Sequence, residues 1–250
     1  MTAPEVAAIA VAGFVAGVVN TMAGGGSLLT VPLLVMIGLP GTVANGTNRV
    51  AVFVQSVVGA LGFRAEGVSG FSKSLPVLVP MVLGGTLGAY AVARLDDATF
   101  ERLFGVLMLV LLLPALRSPR IASPESEGPN MSPMSPTTSA LTFFAIGLYG
   151  GSFQAGVGIF LVLALARAGH GLVVANSIKA VAVAAFTAVA VAIFVFEGQV
   201  VWLPALVLSA STAFGAAVGV RVAVRGGDRV IRPVIALAVI AMAGRMLRLY

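Results

Sequence analysis

Long apolar segments alternate with short polar stretches along almost the whole chain. Most of them are long enough to form helices, and about 20 apolar residues cross the hydrocarbon core of a bilayer. The runs are continuous and lack the alternation of barrel strands, so they exclude a membrane β-barrel. The pattern predicts ten helical segments, at residues 6–22, 28–39, 44–63, 75–94, 100–117, 139–155, 157–169, 174–196, 203–224 and 230–248.

The amino-acid composition indicates the class of protein. Hydrophobic residues make up 59% of the chain and charged residues 10%, whereas soluble domains have about 25% charged residues. The sequence therefore predicts an all-α integral membrane protein in contact with lipid. The net charge is +6, but the basic residues lie mainly between apolar segments, where they set orientation. No nucleic-acid partner is expected. The first residues lack the basic region of a cleavable signal, so the first helix is expected to remain.

The inventory of reactive side chains is small. The chain has no cysteine and one histidine, His170, and no Asp or Glu lies in the middle of an apolar segment. Catalysis requires clustered acids, bases, nucleophiles or metal ligands. The glycine-rich stretch does not follow a nucleotide-binding pattern. The sequence therefore predicts neither an enzyme nor a bound metal or cofactor.

The two halves of the chain resemble each other. A shift of 131 residues aligns the tripeptide VAN at 43–45 with the same tripeptide at 174–176, and it aligns further Glu-Gly, Arg and Asp positions in one register. This predicts two homologous transmembrane repeats, at residues 1–117 and 139–250. Residues 118–138 between them are rich in Pro and Ser, which predicts a flexible linker.

Loop charges favour an inverted arrangement of the repeats. The basic loop is near residues 64–74 in the first half but near residues 221–232 in the second. Under the positive-inside rule, the halves then point in opposite directions. Arg245 and Arg248 weigh against this because they would lie outside. If each glycine break is only a re-entrant dip, eight crossings rather than ten remain and the repeats are parallel.

Each half has a glycine break at a corresponding place. The stretches are TMAGGGSLLTVPLL and GLYGGSFQAGVGIF, and the segments that follow them are too short to span alone. A broken backbone inside a membrane must be buried in protein or line a wet cavity, and paired breaks indicate a transporter's substrate site. The candidate site residues here are Asn20, Gly24, Gly25, Gly26, Ser27, Gln154, Gly156 and Gly158. The alternative is that glycines only permit close helix packing, which we expect for Gly13, Gly17, Gly84 and Gly88.

A second pair of motifs begins a long helix in each half. VANGTNRVAVF and VANSIKAVAVA each contain an Asn, a hydroxyl and a single cation, which adds as candidates Asn45, Thr47, Asn48, Arg49, Asn176, Ser177 and Lys179. A cation inside a spanning helix usually faces the bundle interior, so we expect Arg49 and Lys179 to face one central cavity and to attract an anion. The alternatives are cations that extend to the interface and asparagines that cap helices. Gln55 and Ser56, in mid-helix, could also face a pathway.

These motifs resemble the TauE/SafE family of membrane proteins, also called the sulfite exporter family. The resemblance rests on GFVAGVVNTMAGGGSLLTVPLLVMIGLPGTVANGTNRVAV and GLYGGSFQAGVGIFLVLALARAGHGLVVANSIKAVA, and it extends over nearly the whole chain. It implies a multi-pass protein of the inner cell membrane that transports small sulfur-containing anions such as sulfite, sulfoacetate or another organosulfonate. The alternatives are a passive anion channel and a transporter of an unrelated small anion. Direction, coupling ion and oligomeric state stay open.

Overall fold

The structure is a computed structural model that describes residues 1–68, 70–117 and 135–246. For residues 73, 108–117, 228 and 231–246 it describes the backbone only. The described part is helical throughout. Its helices are α1 (Ala3–Met22), α2 (Ser27–Met36), α3 (Gly41–Ala65), α4 (Phe71–Val92), α5 (Asp97–Arg117), α6 (Pro136–Ser152), α7 (Val157–Arg167), α8 (Leu172–Phe196) and α9 (Trp202–Met246). The predicted fold class, an all-helical membrane protein, is confirmed.

The first eight predicted segments correspond to α1–α8 in order. Two predicted segments fall in α9, which bends at Gly227, a residue with φ 53° and ψ −150°. α6 begins at Pro136, inside the predicted linker, because the Ser135 side chain accepts a hydrogen bond from the Thr138 backbone N–H and proline suits the first helical turn. The rest of the predicted linker, residues 118–134, lies outside the described residues.

Within the described residues, four helices have the length and hydropathy to cross a membrane. They are Ala3–Met22, Ser74–Val92, Leu172–Phe196 and Trp202–Gly227. α3 is also 25 residues long, but its first half is rich in polar side chains. α2 and α7 have 10 and 11 residues, which confirms that they are too short to span alone.

The two halves are interlocked rather than side by side. α1 packs on α9, and its counterpart α6 packs on α4. Likewise α3 packs on α9 and its counterpart α8 packs on α4, while α3 and α8 pack on each other. Buried apolar side chains form two clusters, one including Phe63, Phe143 and Phe186 and the other including Phe100 and Phe194. Each half therefore completes the core of the other.

Small residues allow α1 to pack closely on α9 and α4 to pack closely on α6. A Cβ on Gly17 would overlap the Thr212 backbone, and a Cβ on Gly88 would overlap the Leu148 carbonyl. Gly13 and Gly84 lie equally close to the facing helix. The predicted packing role of these G-x-x-x-G pairs is therefore confirmed.

The contact register gives the relative directions of the helices. Gly59 of α3 faces Ala180 near the start of α8, whereas Gly46 faces Phe194 near its end, so these two helices run antiparallel. α1 and the first arm of α9 run parallel, because Gly13 faces Leu208 and Thr21 faces Gly219.

Candidate functional site

The two glycine breaks meet inside the protein. α1 ends at Met22 and α6 ends at Ser152, and each is followed by a short irregular stretch before the next helix. Gly24 has φ 93°, a conformation that side chains disfavour. A Cβ on Gly24 would overlap the backbone of Gly158, and the reverse holds as well. The breaks thus bring two backbone segments into direct contact, which only glycine permits.

Arg49 is completely buried and holds the end of α6. Its Nη1 donates to the Gly150 carbonyl at 2.5 Å, and its Nη2 donates to the Gly151 and Ser152 carbonyls at 2.6 and 2.9 Å. The Gly151 and Ser152 carbonyls end α6 and have no partner within it, whereas the Gly150 carbonyl also accepts from the Gln154 backbone N–H at 3.1 Å. The C-terminus of a helix carries a partial negative charge, which favours a cation there.

Lys179 makes the reciprocal contact with the other half. Its Nζ donates to the Asn20 and Thr21 carbonyls at the end of α1, at 2.8 and 2.9 Å, and to Asn176 Oδ1 at 2.5 Å. These three bonds use all three hydrogens of the ammonium group. Each half therefore provides a cation that caps the broken first helix of the other half.

These contacts exclude the alternative that the two cations extend to the membrane interface. Arg49 is 0% exposed and Lys179 is 4% exposed, so neither extends to an interface. Both cations have partners within the protein itself, and those partners are backbone carbonyls and amides rather than carboxylates. The hydrogen bonds of Lys179 are therefore satisfied without an anion, whereas Arg49 Nε is buried without a partner among the described residues.

A small cavity lies where the two breaks meet the centres of α3 and α8. Its free space holds about one or two water molecules. Its walls are formed by Asn20, Thr21, Gln55, Ser56, Gly59, Phe63, Gln154, Val157, Gly158, Lys179, Ala180 and Val183. Of the two predicted cations, only Lys179 lines it. The expectation that Arg49 faces this cavity is wrong, because its guanidinium is directed at the carbonyls of α6.

Arg49 nevertheless controls the cavity wall through Gln154. Its Nη1 donates to Gln154 Oε1 at 2.6 Å. Arginine can only donate, so the oxygen of this amide must face it and the NH₂ group must point the other way, toward the cavity. Gln154 is 2% exposed, and its Nε2 has no hydrogen-bond partner among the residues that the structure describes.

Gln154 also has a strained backbone. Its φ is 61°, the only positive value among the described non-glycine residues. Such a conformation costs about 1–3 kcal/mol and persists where the surroundings enforce it, often at functional sites. A hydrogen bond to a charged group contributes about 1.5–3 kcal/mol. The bond from Arg49 is therefore large enough to offset this strain.

Two further polar side chains face the cavity from α3. Gln55 accepts a hydrogen bond from Asn20 Nδ2 at 3.1 Å, which leaves its own NH₂ group without a partner in the described part of the chain. The Ser56 hydroxyl is likewise unpaired there. With Gln154 and Lys179, they make a wall that offers hydrogen-bond donors and a positive charge, and none of the lining residues is acidic.

The predicted repeats contribute unlike side chains to the cavity wall. The 131-residue shift pairs Gln55 with Phe186 and Ser56 with Thr187, so the equivalent position on α8 is less polar. There, the Arg49 guanidinium lies 5.5 Å from the centre of the Phe194 ring.

Several predicted site residues support the scaffold instead of lining the cavity. Thr47 Oγ1 accepts a hydrogen bond from the Val201 backbone N–H at 3.0 Å, ahead of α9, and Ser177 Oγ donates to the Val68 carbonyl at 3.1 Å, ahead of α4. Asn48 Nδ2 donates to Ser27 Oγ at 3.2 Å.

The remaining candidates also lie around the breaks. Asn45 donates to the Ser152 carbonyl and Asn176 to the Leu172 carbonyl. Gly26 packs on α1, and Gly156 precedes α7 with φ 70°. Gly25 lies between α1 and α2.

Sequence reasoning missed part of the cavity wall. Thr21, Gly59, Phe63, Val157, Ala180 and Val183 line it but were not predicted. A signal existed for Thr21, a polar residue within an apolar helix and next to Asn20. The apolar members have no such signal, because they look like any other membrane-helix residue.

The fold and this cavity define a helical membrane protein with a polar site between two interlocked halves. The family model described as Sulfite exporter TauE/SafE matches residues 9–246. The chain belongs to this family and is a membrane transporter.

Curated relatives support the same class. A probable membrane transporter protein, ORF9, from Sinorhizobium sp. is 28% identical, over 95% of this chain and 90% of its own length. A probable membrane transporter protein from Haemophilus influenzae is 27% identical, over 94% and 91%. The probable membrane transporter protein YfcA of Escherichia coli K12 is 24% identical, over 93% and 86%. No solved structure gives a significant match.

Proposed function

We propose that the chain is a secondary transporter that moves a small sulfur-containing anion across the inner cell membrane. The observation that carries this proposal is the cavity wall, where Lys179 and the unpaired NH₂ group of Gln154 lie together without an acidic residue. Hydrogen-bond donors and a positive charge in a desolvated site favour an anion and oppose a cation.

The size and position of the cavity support a small substrate. It has little free space in this conformation, so a bulky ligand would require the walls to separate. Gly158, in the first turn of α7, brings the positive end of that helix to the same wall. The sulfur-containing class rests on the family description, and no side chain of the cavity distinguishes sulfur oxyanions from other small anions.

Inverted repeats would explain how a transporter changes conformation during its cycle. The antiparallel course of α3 and α8, which are equivalent helices of the two halves, supports an inverted arrangement. In transporters of this design, the two halves alternate between two related conformations around a site near the middle of the membrane. Arg49 and Lys179 each connect one half to the other, so the halves would move against each other at these contacts.

A substrate panel tests this proposal. Purified protein in liposomes is assayed for uptake of sulfite, sulfoacetate, taurine, sulfate and thiosulfate, with protein-free liposomes as the blank. We expect saturable uptake and counterflow of at least one anion. Gln55→Leu, which removes an amide from the cavity, should raise the half-saturating concentration, whereas Gln199→Leu, outside the cavity, should not. Current that does not saturate, without counterflow, would instead indicate a passive channel.

A further inference from the structure

The cavity contains a single titratable side chain. Its twelve lining residues are amides, hydroxyl residues, glycines and apolar residues, apart from Lys179. A proton-coupled carrier needs a group that binds and releases a proton where the substrate binds, and many carriers use an acid for this. Glu66 and Glu197, which follow the long helices α3 and α8, are exposed, and Glu197 pairs with Arg94. Neither lines the cavity.

No other described charge faces Lys179. α1 presents the Asn20 and Thr21 carbonyls to it, α7 presents Gly158, and α8 presents Asn176. On α3, Arg49 is turned toward the end of α6. The other charged side chains described on helices packed against α8 lie near helix ends or near the bend of α9, and all are exposed or half-exposed: Glu5, Arg64, Arg167, Arg221, Arg225 and Arg229.

The charge of Lys179 is therefore only partly balanced by the protein itself. Its three hydrogen bonds go to neutral acceptors, and the end of α1 contributes about half a negative charge. A bound monoanion would complete the balance. Without the anion, loss of one proton would leave a neutral amine that still has two N–H donors for these acceptors. Occupancy by an anion and protonation of Lys179 thus favour each other.

We propose that Lys179 is the proton-coupling residue of this transporter. This inference rests on the proposed function. The anion binds together with one proton, which converts the Lys179 amine to ammonium. On the other side, the anion leaves and the ammonium releases its proton to water, so the unloaded carrier returns with a neutral amine. One cycle moves one monoanion and one proton, with no net charge and no change in any covalent bond except N–H.

The decisive variant is Lys179→Arg, because arginine keeps the positive charge and the donors but cannot release a proton. The substrate is the anion of the panel that the wild type transports, in liposomes whose membrane potential is clamped. For the wild type, a pH gradient should drive accumulation toward a limit of about tenfold per pH unit for a monoanion. Lys179→Arg should lose this accumulation entirely, and the anion exchange that it still supports should not respond to the pH gradient. Lys73→Arg changes the only other lysine of the chain and is the matched control.

A second measurement on the wild type does not depend on a folded variant. An anion gradient should drive proton movement in the same direction, detected with a pH-sensitive dye inside the liposomes. Anion transport that moves no protons, or a Lys179→Arg protein that accumulates anion like the wild type, would overturn the role of Lys179 and leave the proposed function intact. A wild type that transports no anion of the panel would overturn both.

Discussion

Replacing Gln154 with Glu isolates the contribution of one amide to anion binding. Glu has the same shape, and one of its oxygens can accept the 2.6 Å hydrogen bond from Arg49 as Gln154 Oε1 does. The other oxygen replaces the NH₂ group that faces the cavity. The change therefore turns a donor into a negatively charged acceptor while it keeps the contact between the two halves.

The expected effect follows from the lost hydrogen bond. A hydrogen bond to a charged group contributes about 1.5–3 kcal/mol, which corresponds to roughly a ten- to a hundred-fold loss of affinity. Repulsion between the new carboxylate and the anion adds to this loss. The protein should remain folded, because the new carboxylate would form a buried ion pair with Arg49.

The assay is the concentration dependence of initial anion uptake in liposomes, with thermal unfolding in detergent as the test of folding. Gln199→Glu is the control, since Gln199 donates to the Ala93 carbonyl outside the cavity. If Gln154→Glu protein has the wild-type unfolding temperature and a half-saturating concentration within about twofold of wild type, Gln154 does not bind the anion and the reasoning is refuted.

Three further predictions concern topology and packing. Cysteines introduced at Glu66 and Glu197, which occupy equivalent loops of the two halves, should be labelled from opposite sides of the membrane, because equivalent helices run antiparallel. Gly24→Ala should strongly reduce the yield of folded protein, measured by size-exclusion chromatography, because the added Cβ would overlap the Gly158 backbone. Thr187→Val should raise stability by about 1 kcal/mol, seen as a higher unfolding temperature, because the Thr187 hydroxyl is fully buried without a partner among the described residues.

Each of these has its own control. Labelling of both cysteines from one side would contradict the inverted arrangement, and the absence of native cysteine gives a clean background. Gly171→Ala has open space around the new Cβ and should leave the yield unchanged. A lower unfolding temperature for Thr187→Val would show that its hydroxyl has a partner, and Thr86→Val, which removes a paired hydroxyl, shows the size of that loss.

The sequence alone determined the helices and the places where the helices break, and it predicts an internal duplication. These features depend on local properties: apolar length decides whether a segment is buried in lipid, and consecutive glycines weaken a helix wherever they occur. Gln55 and Ser56 could also be singled out, since polar residues in the middle of an apolar helix are rare. The predicted bounds of α3 and α8 differ from the structure by only a few residues.

Only the tertiary structure decided what these residues contact. Arg49 bonds to a carbonyl 101 residues away, and Lys179 to one 159 residues away. Backbone carbonyls are present in every residue, so no sequence pattern marks those that end a helix and lack a partner. The sequence therefore showed two similar cations without carboxylate partners. It could not show that Arg49 binds the end of α6 and orients Gln154, whereas Lys179 lines the cavity. That difference arises because the two halves meet face to face with unlike side chains, Gln55 on one side and Phe186 on the other.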